Sequence, residues 1–419
     1  SGGYGVNIDN GTVTNHAGAT ISGASGIQLG TGTITNAGTI TGTSVNGIRS
    51  NGGANIIDNA ATGTISGVSY GIMMFGGTLT NLGIIRATGP GGVGVYSFNT
   101  DTVTNVGTSA RIEGTLAGVQ LRNAGSLLRN EGTIIASVGV GADQTTNGDI
   151  INFGTRSLIS GALAGILISN GTTTNEMSVS ISNQGTIEGT GAAGIGINTQ
   201  DGLGTITNSG SILGAALGVG IRLDAGGSVT NFASGFISGG MAAISAQGAA
   251  GTVINYGSVT SDDGIGVALM DGGSVSNYGS GSRISGDVAG VYVQSAAGTV
   301  TNEGSISGGL GDGIMLLFGG TVTNALSGVI EGGCSGITGI NGAVAVNNSG
   351  IVRGTCATAD GIYLVSGGVV TNSGTFASIT GGEIGVLMSL APGAVSNEGI
   401  IAGTYDGGGV LPADAEILG

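Results

Sequence analysis

The chain has a single histidine, His16, so any Ser-His-Asp triad would have to be built on it. His16 lies in "GTVTNHAGATISG", a turn-like stretch with no carboxylate beside it, and no Gly-Asp-Ser-Gly segment offers a serine nucleophile. Protease chemistry is therefore not expected. Cleavage of a polysaccharide needs clustered carboxylates, commonly with a cation beside them. Asp262-Asp263 is the one adjacent acidic pair, there is no lysine, and the pair reads as a solvated corner. The stretch "GGLGDGIML" at 308–316 is similar to a calcium-binding nonapeptide. It is one residue short before Asp312 and does not recur in tandem, so Asp312 reads as a turn residue. One histidine and two cysteines are too few for a zinc site. No catalytic residue, metal or cofactor is expected.

The two cysteines carry a different message. Cys334 and Cys356 are 22 residues apart, each four residues after an aliphatic, Ile330 or Val352. If the chain repeats with that period, stacking sets their Cα atoms about 5 Å apart, within disulfide range. The spacing predicts a bridge that contributes about 3 kcal/mol and suits an exported protein. Two buried thiols are the alternative. Glu331 and Arg353 share the same register and are expected to pair at the surface, where such a pair is worth little.

Composition narrows the partners. Gly occurs 93 times and Pro 3 times in 419 residues, Trp is absent, and the net charge is −15. All nine basic residues are arginine. That balance opposes nucleic-acid binding and docking on anionic lipid, and fits a self-repelling exterior. No apolar run is long enough to cross a bilayer, so no membrane insertion by this chain is expected. No basic segment followed by an apolar one opens the sequence, so a signal peptide is expected to lie outside it or to have been removed.

The elements that would position any of these residues follow from a repeat. Thr-aliphatic-Thr-Asn is written seven times, and looser copies end in Asn15, Asn36, Asn59, Asn81, Asn105, Asn130, Asn152, Asn183, Asn208, Asn231, Asn255, Asn277, Asn302, Asn324, Asn348, Asn372 and Asn397. Fifteen of the 16 intervals are 21–25 residues; the interval of 31 after Asn152 predicts an insertion near 170–182. Val, Ile or Leu stands two places before every Asn, which is the alternation of a half-buried strand. A second strand follows, as in "GTITG" around Ile40, and a third begins at a Gly-aliphatic pair such as "GVYV" at Val291. Three short strands per coil predict an all-β, parallel, right-handed β-helix solenoid of about 17 coils over residues 1–403, with a non-repeat tail at 404–419. A four-stranded propeller blade would need about twice the length per repeat.

The Asn falls on the inward side of its strand. It is affordable there if each amide bonds the corner backbone and the amide of the next coil, forming a ladder. The gap from Asn to the next aliphatic alternates between long and short coils, which predicts protruding loops on every second coil along one edge. Phe232, Tyr256 and Tyr278 follow the Asn on three consecutive coils and should form an outer aromatic stack, a candidate contact surface. Outward Thr pairs suggest ice binding as a rival, but both Thr are kept in only seven of 17 copies.

The texture "VTNSGTI.G…GI.L..GGTVTN.G" resembles the passenger region of bacterial autotransporters and related large β-helical adhesins, over about residues 1–403. The resemblance implies export and display on, or release from, a Gram-negative outer membrane. The chain would then be a cleaved passenger, a piece of a larger one, or a subunit whose open end stacks on another copy. The expected function is a non-enzymatic extracellular rod, an adhesin-like passenger attaching to host-cell, bacterial or glycan surfaces through many weak contacts. The alternative is a structural subunit that binds itself end to end in a filament.

Overall fold

The computed structural model describes residues 3–169 and 177–404. These form a right-handed parallel β-helix of about 16 turns, with no helix among the described residues. The first strand of each coil ends in the repeat Asn, as in Gly298–Asn302; the second follows, Ser305–Gly308; the third is Asp312–Leu316. Every described pairing is parallel and joins a strand to its equivalent one coil away, so that Val300 lies on Val322 and Asn302 on Asn324. Sixteen steps of about 4.8 Å give a rod about 80 Å long.

Part of the stretch read as an insertion belongs to the ladder instead. Met177–Asn183 is a seven-residue strand whose Val179 lies on Gly148 and whose Met177 lies on Gly202. Alternation of apolar and hydroxyl side chains in "VSIS" explains it, since that is strand patterning. The remainder of the predicted insertion, 170–176, and the tail beyond Thr404 lie outside the described residues.

Three aliphatic columns fill the interior, one per strand, represented by Ile34, Ile40 and Ile48, each fully buried. They are packed tightly enough to select a fourth column. The second residue of each third strand is glycine from Gly5 to Gly385, with Ala243 the exception. A Cβ added at Gly290 would meet Gly313 O at 2.6 Å and Ile306 Cγ2 at 2.7 Å. This glycine is kept for space inside a strand, not for a turn.

The Asn side chains form one continuous ladder. Each Nδ2 donates to the Oδ1 of the Asn one coil further on, at 2.7–2.9 Å, in all 16 steps. The same Nδ2 also reaches backbone: Asn255 Nδ2 donates to Gly257 O at 3.0 Å and to Arg283 O at 3.1 Å. From Asn15 to Asn372 these residues are at most 4% exposed, so the burial of an amide is offset by full hydrogen bonding.

After the Asn, corners alternate. Two residues separate the strands after Asn36, Asn81 and Asn130, against four after Asn15 and Asn59 and five after Asn105 and Asn152. Asn183 and Asn208 are both followed by short corners, after which the alternation resumes with its phase shifted by one coil. The five-residue corners share a device. Gly107, Gly154, Gly279 and Gly374 have φ of 81°, 89°, 84° and 96°, and each N–H donates to the side chain after the Asn of the next coil, Glu131, Gln184, Glu303 or Glu398. Four-residue corners are tied instead to the coil before, by Thr62 to Ala37 O, Ser234 to Ser209 O and Ser327 to Glu303 O.

Replacing Asn255 by Ala leaves the Asn231 amide, the Asn277 Oδ1 and two backbone carbonyls short of a partner inside the rod. We expect a loss of about 2–4 kcal/mol in local stability, against less than about 1 kcal/mol for Asn397→Ala in the exposed strand Gly393–Asn397 of the final coil. Hydrogen exchange of the flanking strands, with urea unfolding, measures both; equal effects would contradict the ladder's role.

Candidate functional site

The residues singled out for chemistry do not converge. His16 is exposed in the first corner, its carbonyl accepting from Ala19 N at 3.0 Å. Asp262 and Asp263 are exposed in the corner between Ser258–Thr260 and Ile265–Leu269. No group of three or more His, Cys, Asp or Glu suited to a metal occurs among the described residues. Asp312 is not a turn residue: it opens the strand Asp312–Leu316 and is 5% exposed. The corner before it is Gly309, Leu310 and Gly311, since Gly308 still belongs to the strand Ser305–Gly308. Burial raises the Asp312 pKa, against the lowering effect of hydrogen bonds from Thr338 and Ser335.

The predicted disulfide is not formed, and the alternative of buried thiols does not hold either. Cys334 and Cys356 are free and exposed. Their backbones are in register, with Cys356 N donating to Gly333 O at 3.1 Å. The corners they occupy differ, however. Two residues separate Gly332 from Ser335, whereas five separate Gly354 from Asp360 in a turn closed by Ala359 N to Cys356 O. The Cys334 thiol turns to Leu310 O at 3.1 Å, and Cys356 Sγ lies 3.6 Å from Thr358 Oγ1. Burial, then Asp312 and Cys356, push the Cys334 thiol pKa up. Glu331 and Arg353 do pair, with Arg353 Nε 2.8 Å from Glu331 Oε2.

Of the expected aromatic stack, Tyr256 and Tyr278 meet at 5.7 Å between ring centroids. Phe232 occupies the equivalent place one coil earlier and is 46% exposed, but no ring contact joins it to Tyr256 among the described residues.

A larger aromatic group lies along the third strand and the corner that follows it, with Tyr70 and Tyr96 in strands and Phe75 and Phe98 just after them. Phe75 and Phe98, one coil apart, stack at 4.5 Å with planes 11° apart. Tyr96 packs on Phe98 at 4.5 Å and Tyr70 on Tyr96 at 5.2 Å. The Arg49 guanidinium lies over Phe75 at 5.8 Å, and that of Arg122 over Tyr96 at 5.7 Å. The signal in the sequence is the pair "MMF" and "YSF", 23 residues apart, which no Asn-centred alignment brings forward.

Buried acids are the second feature not anticipated. Asp101 is 1% exposed and occupies the interior place held two coils earlier by Asn55. Asn55 Nδ2 donates to Ser50 Oγ at 2.6 Å; at Asp101 the direction is reversed, Ser97 Oγ donating to Oδ2, and Asp101 Oδ1 has no protein partner. Burial raises the Asp101 pKa to about 6, against lowering by Ser97 and Asn99. Burial, then Glu383, raises Asp360 to about 6. Asp143 is also raised by burial, although Arg122 lies 3.1 Å away and Gln120 donates to it.

No protein-family model, no curated protein and no solved structure matches the chain. The reading of its surface therefore stands on geometry.

Two outcomes follow. A raised carboxyl pKa contributes stability that is whole below the unfolded value near 3.8 and is lost as pH rises through about 6. Asp101→Asn should remove that slope and be more stable than wild type at pH 8, by up to about 3 kcal/mol. The difference should vanish below pH 4; urea unfolding between pH 4 and 8 measures it. Alkylation without reductant should label both thiols, Cys356 faster than the hydrogen-bonded Cys334. Mass spectrometry showing neither thiol modified would restore the disulfide.

Proposed function

We propose that the chain is a non-enzymatic extracellular rod that attaches surfaces to one another through many weak lateral contacts. The observation that carries this reading is the filled interior. Aliphatic columns and the Asn ladder occupy the inward positions of coil after coil, so the chemistry open to a partner lies on the sides. There many titratable groups lie singly or in exposed pairs such as Arg111 with Glu113, and aromatic rings gather at corners. Such a surface suits binding spread over its length, where avidity replaces a single tight site. The texture of the repeat supports display on, or release from, a Gram-negative outer membrane, with host cells, other bacteria or their glycans as partners.

The test varies valence. Beads coated with the chain at graded density should adhere to cells more steeply than in proportion to density, while the free chain binds weakly. Adhesion absent at every density would overturn the reading. Long fibres in electron micrographs, with an axial repeat of about 4.8 Å, would replace it by end-to-end assembly.

A further inference from the structure

We propose that the aromatic column at residues 70–98, with the guanidinium groups of Arg49 and Arg122 at its two ends, is a binding site for carboxylate-bearing sugars. It rests on the attachment reading only in taking the sides of the rod as the working surface. Phe75 and Phe98 are one coil apart and nearly coplanar in orientation, so their faces look along the rod and their edges look outward. Aromatic edges carry partial positive charge, which favours oxygen over hydrocarbon. Each end of the column is closed by a guanidinium, Arg49 on Phe75 and Arg122 on Tyr96.

The two arginines are not equivalent. Arg122 is matched by Asp143. Arg49 takes part in none of the ion pairs among the described residues; its Nε donates to Asn51 Oδ1 at 2.9 Å. With its guanidinium over Phe75 and its Nε bonded to Asn51, Arg49 keeps its outer N–H groups for the two-pronged contact that arginine makes with a carboxylate. Exposed amides of Asn51 and Asn99 flank the column, each with one end engaged, Asn51 Oδ1 by Arg49 Nε and Asn99 Nδ2 by Phe75 O at 2.6 Å, and Phe98 is 37% exposed. Amides beside a guanidinium supply the donors and acceptors that neighbouring sugar hydroxyls need.

Charge along the rod agrees. Residues 1–169 hold six of the nine arginines and seven of the 24 acids; residues 170–419 hold three arginines and 17 acids. An anionic polymer is therefore repelled by the second segment and meets little net charge on the first. A neutral sugar would have no such preference, and an apolar partner would leave Arg49 desolvated without a counter-charge.

The experiment is calorimetric titration of the whole chain with a galacturonic acid hexamer and with its fully methyl-esterified form, which keeps the sugar and removes the charge. The acid hexamer should bind saturably and the ester at least about tenfold more weakly, with the gap closing at high salt. Arg49→Gln should weaken the acid hexamer about tenfold, and Phe75→Leu, which releases the guanidinium, should weaken it similarly. Tyr256→Ala, on another edge, should leave it unchanged. Equal affinity for acid and ester, unchanged affinity in Arg49→Gln, or no saturable heat at millimolar hexamer would each overturn the site. So would tighter binding of inorganic polyphosphate than of the hexamer. Beads that adhere to cells while the hexamer fails would overturn this site and leave the attachment reading standing; hexamer binding without adhesion would do the reverse.

Discussion

The whole molecule depends on one constraint: each coil must lie in register on the last, backbone on backbone, for about 16 turns. Parallel pairing gives every inner strand partners on both sides, and a slip of one residue would exchange inward and outward side chains throughout a coil. The Asn ladder is what makes slippage costly. Its amides bond both to one another and to strand backbone, so a misplaced coil would strand several buried polar groups at once. Aliphatic columns alone tolerate sliding far better, because Val, Ile and Leu are close to interchangeable along them.

The corners show how variation is admitted without loss of register. A two-residue corner is short enough to need no ornament. A five-residue corner needs a left-handed glycine, and its freed N–H is then met by Glu or Gln from the following coil. The four-residue corners after Asn59, Asn231 and Asn324 lack that glycine and are fastened backward by a hydroxyl. The surface residue after each Asn is thus not free to vary: where the preceding corner is five residues long, it must be able to accept a hydrogen bond.

Much of the fold was legible because its period is written in types that tolerate no substitute. Asn is the side chain short enough to hold the ladder and to reach the corner, and the aliphatic two places before it marks the inward face. The alternation of corner lengths could be read from the gaps between Asn and the next aliphatic. What escaped was everything set by the path of side chains. Cys334 and Cys356 are in register, but unequal corners turn their thiols away from each other. The column of Phe75 and Phe98 lies on a third-strand corner whose phase differs from that of the Asn alignment. Asp101 went unmarked because an acid opening a strand carries no sign of burial, yet its place is the interior one that Asn55 fills two coils earlier.

The corner alternation has a geometric consequence. Protruding corners on every second coil make a comb whose teeth stand about 10 Å apart, twice the coil rise. Consecutive short corners after Asn183 and Asn208 displace all later teeth by half that pitch. The displacement falls close to the point where the charge turns from near neutral to strongly acidic. A periodic ligand laid along this edge and matched to the first comb would meet gaps where it needs teeth on the second. The rod therefore carries two rulers of equal spacing and opposite phase, and a lattice that fits one is excluded from the other.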